Sequence, residues 1–159
     1  MFRVGIIGPE STGKSSLARY LAKRYNSIYV PEYGREFVER KGTTEITFEE
    51  LCKIAEHQIN LMQRLEDNNK NLENVVLYDT ELIMTKVWFE YAFGYIPEWL
   101  NDAILHYPMD VYLLTYPDIA WYQDGTRSNG SNEKRQELFA RYETEIQALN
   151  IPYYIIRHC

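Results

Sequence analysis

The chain has 159 residues, of which 45% are hydrophobic, and this length and composition suit one globular domain with a sizeable core. Its formal net charge of −6 argues against a general nucleic-acid binder or a membrane-surface binder. The sequence contains neither a secretory signal pattern nor an apolar run approaching ~20 residues. Its two cysteines, Cys52 and Cys159, lack metal-site or redox spacing, so we expect a cytoplasmic protein.

Strand and helix patterns alternate along the chain. The predicted strands cover residues 2–7, 27–30, 75–79, 110–115 and 153–156. The predicted helices cover 14–25, a long segment from the capping box at 47–50 to a polar stop at 67–71, 81–93, 97–106 and 133–149. Residues 32–36 are predicted as a polar loop. This alternation predicts a parallel sheet of about five strands covered on both faces, but it does not give the strand order.

The segment of residues 8–15 reads G-P-E-S-T-G-K-S and lies between a predicted strand and a predicted helix. This is the phosphate-binding P-loop pattern, Walker A, in the context that it needs. Its glycines permit a tight turn whose N–H groups, with the helix N-terminus, hold phosphate oxygens. Lys14 is predicted to reach the β- and γ-phosphates, and the Ser15 hydroxyl to ligate Mg²⁺. We therefore expect ATP to bind at Gly8, Glu10, Ser11, Thr12, Gly13, Lys14, Ser15 and Ser16.

Asp79 directly follows the apolar part of the third predicted strand. A P-loop needs a carboxylate at the end of a neighbouring strand to hold Mg²⁺ or its water shell. Asp79 or Thr80 could also cap the next helix, and a cap and a metal ligand are compatible roles. We predict that Asp79 binds the metal together with Ser15 and takes part in catalysis.

Glu32 and Arg35 lie just past the second predicted strand, at the carboxyl edge of the sheet, where open α/β sheets bind ligands. A kinase for a small alcohol needs a base or an orienting acceptor near the attacking hydroxyl, and either Glu32 or Asp79 could supply it. The alternative is an ordinary solvated carboxylate. Arg35 could hold a substrate or pair with a nearby glutamate.

A polar, glycine-containing segment of about 124–135 is predicted as a short lid. Its arginines, Arg127 and Arg135, are predicted to bind ATP, and Arg127 to take part in catalysis, because a closing lid excludes water and meets the charge on the transferring group. The alternative is a solvated loop and an exposed helical arginine. Trp88 follows Asp79 on the next helix and Trp121 precedes the lid; core packing is the commoner role for tryptophan, but either ring could stack on a nucleobase-like group.

Six segments together resemble a known family. They are G-P-E-S-T-G-K-S at 8–15, P-E-Y-G-R-E-F at 31–37, D-T-E-L at 79–82, T-K-V-W at 85–88, D-I-A-W at 118–121 and D-G-T-R at 124–127. In this order they resemble the ribosylnicotinamide kinase domain of the bacterial NAD-biosynthesis regulator and its stand-alone relatives. The resemblance covers nearly the whole chain, which is thereby identified as one kinase domain of residues 1–159.

The resemblance implies an α/β P-loop NTPase fold, an adenylate-kinase-like three-layer sandwich. It implies transfer of the ATP γ-phosphate, with Mg²⁺, to the 5′-hydroxyl of nicotinamide riboside, giving nicotinamide mononucleotide in NAD salvage. It assigns Glu32, Tyr33, Arg35, Trp88 and Trp121 to the nucleoside, and Arg127 and Arg135 to the lid. The DNA-binding and adenylyltransferase parts of the regulator are expected to be absent.

The sequence leaves two alternative functions open. One is a kinase for another nucleoside or small alcohol. The other is a regulatory ATP-binding switch or ATPase, which would hydrolyse ATP without an acceptor and need no nucleoside pocket. The expected partner is a small-molecule nucleoside, with no nucleic acid and no membrane.

Overall fold

The computed structural model describes residues 1–10, 12–42, 45–68, 74–118 and 132–157. Within these ranges the strands are β1 (Phe2–Ile7), β2 (Ile28–Val30), β3 (Val75–Asp79), β4 (Val111–Thr115) and β5 (Tyr153–Ile156). The helices are α1 (Lys14–Arg24), α2 (Tyr33–Lys41), α3 (Phe48–Asn68), α4 (Leu82–Phe93), α5 (Glu98–His106) and α6 (Asn132–Ala148). Each predicted strand and helix has a counterpart, with ends shifted by at most a few residues.

The five strands form one parallel sheet in the order β2-β3-β1-β4-β5. The central strand β1 pairs with β3 on one side, where Ile6 lies opposite Asp79, and with β4 on the other, where Ile6 lies opposite Leu113. Because all three strands run the same way, their carboxyl ends meet at one edge. The segments that follow β1, β3 and β4 are therefore neighbours in space.

Helices cover both faces of the sheet, which gives three layers. On one face α1 packs Ala18 against Val4, Ile6 and Leu77. On the other face α3, α4, α5 and α6 share a larger core with the strands, and its fully buried members include Ile7, Val76, Leu100, Leu114 and Ile146. Strands buried on both faces require nearly continuous apolar sequence, which β1 and β3 have.

Two helix boundaries follow local rules that the sequence displays. The capping box at the start of α3 consists of two reciprocal hydrogen bonds. The Glu50 backbone N–H donates to Thr47 Oγ1 at 3.1 Å, and the Thr47 N–H donates to Glu50 Oε1 at 2.9 Å. Helix α4 ends at Gly94, whose φ of 64° lies in the left-handed region that glycine adopts without strain.

Two local expectations were wrong. Residues 33–36 belong to helix α2 rather than to a polar loop. The helix has only nine residues and a glycine in its first turn, so its short apolar face of Tyr33, Phe37 and Val38 was missed. The side-chain cap of α4 is neither Asp79 nor Thr80 but Glu81, whose Oε1 accepts from the Ile83 N–H at 2.9 Å. None of the helices in the described ranges is both long and apolar enough to span a bilayer.

Candidate active site

The P-loop packs directly against the end of β4. A Cβ on Gly8 would lie 2.0 Å from Thr115 Oγ1 and 2.8 Å from the Thr115 carbonyl oxygen, so only glycine fits there. The buried Thr12 hydroxyl lies 2.6 Å from Thr115 Oγ1 and donates to the Pro9 carbonyl at 2.7 Å. Thr12 thus closes the loop with its side chain, which leaves its backbone as the part that could meet a phosphate.

The loop leads into the N-terminus of α1. Gly13 is the N-cap of this helix, with φ 84° in the left-handed region, and it makes no side-chain capping bond. Lys14 is buried and its Nζ donates to the Pro9 carbonyl at 3.3 Å, so the ammonium lies folded over the loop. Ser16 is exposed on the first turn. Free N–H groups and the helix dipole at this end favour an anion.

Ser15 and Asp79 meet across the two central strands. The Ser15 hydroxyl donates to Asp79 Oδ2 at 2.6 Å, and the Tyr29 hydroxyl donates to the same oxygen at 3.2 Å. Asp79 is 1% exposed, and its Oδ1 is buried without a hydrogen bond among the described residues. A hydroxyl beside a carboxylate with a free oxygen is the donor set that Mg²⁺ takes at a P-loop, where phosphates and water complete its shell.

The two residues after Asp79 hold its position. Thr80 has a φ of 74°, which a β-branched residue adopts only under strain, and its N–H donates to the Ile6 carbonyl at 3.0 Å. Glu81 is buried, and burial raises its pKa from the ordinary 4.5 to about 7 although it caps α4 and hydrogen-bonds with Tyr112. A strained backbone is typical of functional sites, and here it directly follows the buried carboxylate of Asp79.

A cavity of about 220 Å³ opens beside the P-loop. Its charged lining comes from Glu10 and Lys14 of the loop and from Glu32 and Arg35 at the start of α2. The rest of the wall is mainly apolar and aromatic and comes from α2, α3, α4, α6 and the segment before α3: Val38, Ile46, Leu51, Ile54, Met84, Trp88, Phe93, Leu138 and Tyr142. A concave apolar site with a few polar groups is the usual form of a small-molecule pocket.

Glu32 and Arg35 face this cavity together. The Arg35 Nε lies 3.7 Å from Glu32 Oε2, a distance that allows an ion pair but no hydrogen bond. Both side chains are partly buried. Asp79, by contrast, is not among the residues that line the cavity. Of the two carboxylates considered for orienting an acceptor hydroxyl, Glu32 is therefore the one that faces the space where an acceptor would sit.

Other candidates lie elsewhere. Tyr33 points away from the cavity and stacks on His57, with ring centroids 3.7 Å apart and planes 18° apart. Arg135 is fully buried at the start of α6, so the alternative of an exposed helical arginine is wrong. Burial lowers the pKa of Arg135, whereas the negative charges of Asp118 and Glu10 raise it. Because Glu10 belongs to the P-loop, Arg135 lies near that loop. Ser11, Arg127, Trp121 and lid residues 124–131 lie outside the described residues.

The sequence did not identify several residues of the site. Tyr142, Gln58 and Thr85 line the cavity, Thr115 closes the P-loop, and Tyr29 bonds Asp79. Thr115 stood at the end of a predicted strand, but its contact with Gly8 depends on β4 lying beside β1. Tyr142 lies on α6, for which the sequence predicted a helix but no residue facing a cavity.

The fold and this site define the class of protein: the chain is a P-loop nucleotide-binding domain of the kinase type. A family profile described as "AAA domain" matches residues 3–159, and the chain belongs to that family.

Two curated proteins named "Trifunctional NAD biosynthesis/regulator protein NadR" are similar to the chain. The one from Escherichia coli (strain K12) is 31% identical over 138 residues, and the one from Salmonella typhimurium (strain LT2) is 30% identical over 136 residues. The matches cover 85% and 84% of this chain but 33% and 32% of the relatives. The chain thus spans about a third of the length of these relatives.

Solved structures show the same fold. A crystal structure of NadR protein in complex with NAD and AMP-PNP matches 97% of this chain and 44% of its own, with a TM-score of 0.75 at 23% identity. Thymidylate kinase from Ehrlichia chaffeensis matches 98% of this chain and 86% of its own, with a TM-score of 0.68 at 13% identity. These matches confirm the predicted resemblance and fold class, and they support the predicted class of enzyme, an ATP-dependent phosphotransferase.

Proposed function

We propose that this chain transfers the γ-phosphate of ATP to the 5′-hydroxyl of nicotinamide riboside and so produces nicotinamide mononucleotide. The observation that carries the proposal is the cavity beside the P-loop, since Lys14 of the loop and Glu32 line the same space. A phosphate donor on the loop and an acceptor in the cavity would lie side by side. The relatives named for NAD biosynthesis, and a crystal structure of NadR protein in complex with NR, suggest this acceptor.

The proposed reaction is mainly positioning and charge neutralisation. The P-loop N–H groups and Lys14 hold the β- and γ-phosphates, and Ser15 and Asp79 hold Mg²⁺, which when bound neutralises charge on the phosphate oxygens. Glu32 accepts a hydrogen bond from the acceptor hydroxyl and receives its proton as the new O–P bond forms. The bond between the γ-phosphorus and the β–γ bridging oxygen breaks, and ADP leaves. Arg127 and Arg135 are proposed to meet the charge from the lid side.

The aromatic cavity argues against a plain switch or ATPase, which needs no such space. A kinase for another nucleoside stays the nearer rival, because a deoxyadenosine kinase from M. mycoides shares the fold with a TM-score of 0.55 at 14% identity. We also propose that residues 1–159 act as one kinase domain with a lid near 124–135.

The test is ADP release with and without single nucleosides, followed by chromatography of the products. We expect ADP release to depend on nicotinamide riboside and to match the nicotinamide mononucleotide formed. Glu32→Gln should lower kcat at least about tenfold, whereas Glu49→Gln, an exposed carboxylate on α3, should leave it unchanged. Equal ADP release with and without any nucleoside would instead establish the ATPase reading.

A further inference from the structure

One wall of the cavity carries a buried polar pair that the proposed chemistry does not use. Gln58 of α3 is 9% exposed and Thr85 of α4 is 4% exposed, and both line the cavity. The Thr85 hydroxyl donates to Gln58 Oε1 at 2.7 Å across the two helices. Thr85 thereby fixes the rotation of the Gln58 amide, since a hydroxyl bonded to one end of a planar amide sets where the other end points.

The pair leaves hydrogen-bonding capacity unused. A glutamine amide offers two N–H donors as well as its carbonyl oxygen. Within the described part of the chain, the bond from Thr85 is the one hydrogen bond of the Gln58 side chain. The wall beside it is apolar, with Ile54 and Met84. The amide nitrogen keeps some solvent-accessible surface, so water or a ligand can reach it and accept its hydrogen bonds.

The electrostatics of this wall favour a neutral ligand group. The charged residues of the cavity belong to the P-loop and the start of α2, and α3 and α4 contribute none to its lining. Behind the wall, Gln58 also lines a smaller cavity together with the buried Glu81. A carboxylate placed against this wall would find no cation on α3 or α4.

We propose that Gln58 determines acceptor specificity by hydrogen-bonding a neutral carboxamide on the ring of the acceptor, with Thr85 as its positioning residue. A carboxamide suits Gln58 because each amide offers both a carbonyl acceptor and N–H donors, so the two groups are mutually complementary. The inference rests on the proposed function and adds the group by which the acceptor is chosen.

A cycle of protein and ligand changes tests the contact. Wild type and Gln58→Leu are compared on nicotinamide riboside and on the pyridinium riboside that lacks the carboxamide. For wild type, loss of the carboxamide should lower kcat/KM roughly tenfold, almost entirely through KM. Gln58→Leu should show about the same loss on nicotinamide riboside and less than about a threefold further loss on the truncated ligand. Thr85→Val should give an intermediate loss.

The matched control is Gln63→Leu, a change to an exposed glutamine of the same helix, which should behave as wild type on both ligands. ATP affinity and melting temperature of each variant establish that the fold is intact, and Thr85→Val decides the question if Gln58→Leu does not fold. If removal of the carboxamide still lowers kcat/KM about tenfold in Gln58→Leu, the two changes act independently and the inference is wrong. That result would leave kinase activity on nicotinamide riboside intact. No turnover of nicotinamide riboside by wild type, with turnover of another nucleoside, would overturn the proposed function itself.

Discussion

The two ends of the candidate active site are built in different ways. The phosphate end consists of P-loop residues that are close together in sequence, such as Gly8, Thr12 and Ser15, with Asp79 from the neighbouring strand. The acceptor end is assembled from side chains of α2, α3, α4 and α6, which are far apart in sequence. Changes at the phosphate end should therefore impair transfer to any acceptor. Changes at the acceptor end should alter KM and the choice of acceptor, except at Glu32, the proposed base, where kcat should fall.

The largest effect is expected at the phosphate end. Lys14→Ala removes the buried ammonium beside the P-loop, and kcat should fall roughly a hundredfold or more because the transferring phosphate loses its fixed positive charge. Lys23→Ala, an exposed lysine of the same helix, is the control. Steady-state kinetics with two different nucleosides would sharpen the comparison, and a near-wild-type rate for Lys14→Ala would refute it.

Glu81, two residues after Asp79, lines the smaller cavity and should make the stability of the fold depend on pH. The folded protein keeps a proton on Glu81 between pH 4.5 and about 7, where the unfolded chain releases it, so stability falls as the pH rises through this window. In wild type the free energy of unfolding should fall by about 3 kcal/mol more across this window than in Glu81→Gln. Urea unfolding at pH 5 and pH 8 measures it, with the exposed Glu98→Gln as control. Parallel pH profiles for wild type and Glu81→Gln would contradict the prediction.

Trp88 tests the acceptor end. If it stacks on the nucleoside ring, Trp88→Ala should raise KM for nicotinamide riboside about two- to twelvefold with little change in kcat. Trp99→Ala, on α5 and 39% exposed, should leave KM unchanged. Calorimetric melting is recorded beside the kinetics. A variant that melts much earlier yet keeps its KM would show that Trp88 serves packing instead.

The smallest effect is expected at Tyr29, whose hydroxyl bonds Asp79 from β2. Tyr29→Phe removes one hydrogen bond worth about 1 kcal/mol, so the Mg²⁺ concentration for half-maximal rate should rise about fivefold. The KM for nucleoside should not move, because Tyr29 lies outside the cavity lining. Tyr20→Phe, an exposed tyrosine of α1, is the control. An unchanged Mg²⁺ titration would mean that Ser15 alone orients Asp79.

Much of the phosphate end could be predicted from sequence because its rules are local. Residues 8–15 carry the glycines, lysine and serine in the order that the loop requires, and the strand 75–79 ends in its carboxylate. The capping box at Thr47 and Glu50, and the end of helix α4 at Gly94, could also be predicted from the sequence. Each depends on residues within one turn or one strand, so spacing alone reveals it.

The sequence by itself thus determined the alternating α/β pattern and the P-loop, and it singled out Ser15 and Asp79, which the structure joins by a hydrogen bond. The tertiary structure decided the strand order, which places Thr115 against Gly8, and it assembled Glu32, Gln58, Trp88 and Tyr142 around one cavity. The physical reason is that helical periodicity marks a residue as facing inward but does not say whether the space it faces is core or cavity. That distinction depends on how four helices pack, which the spacing of residues within any one of them does not encode.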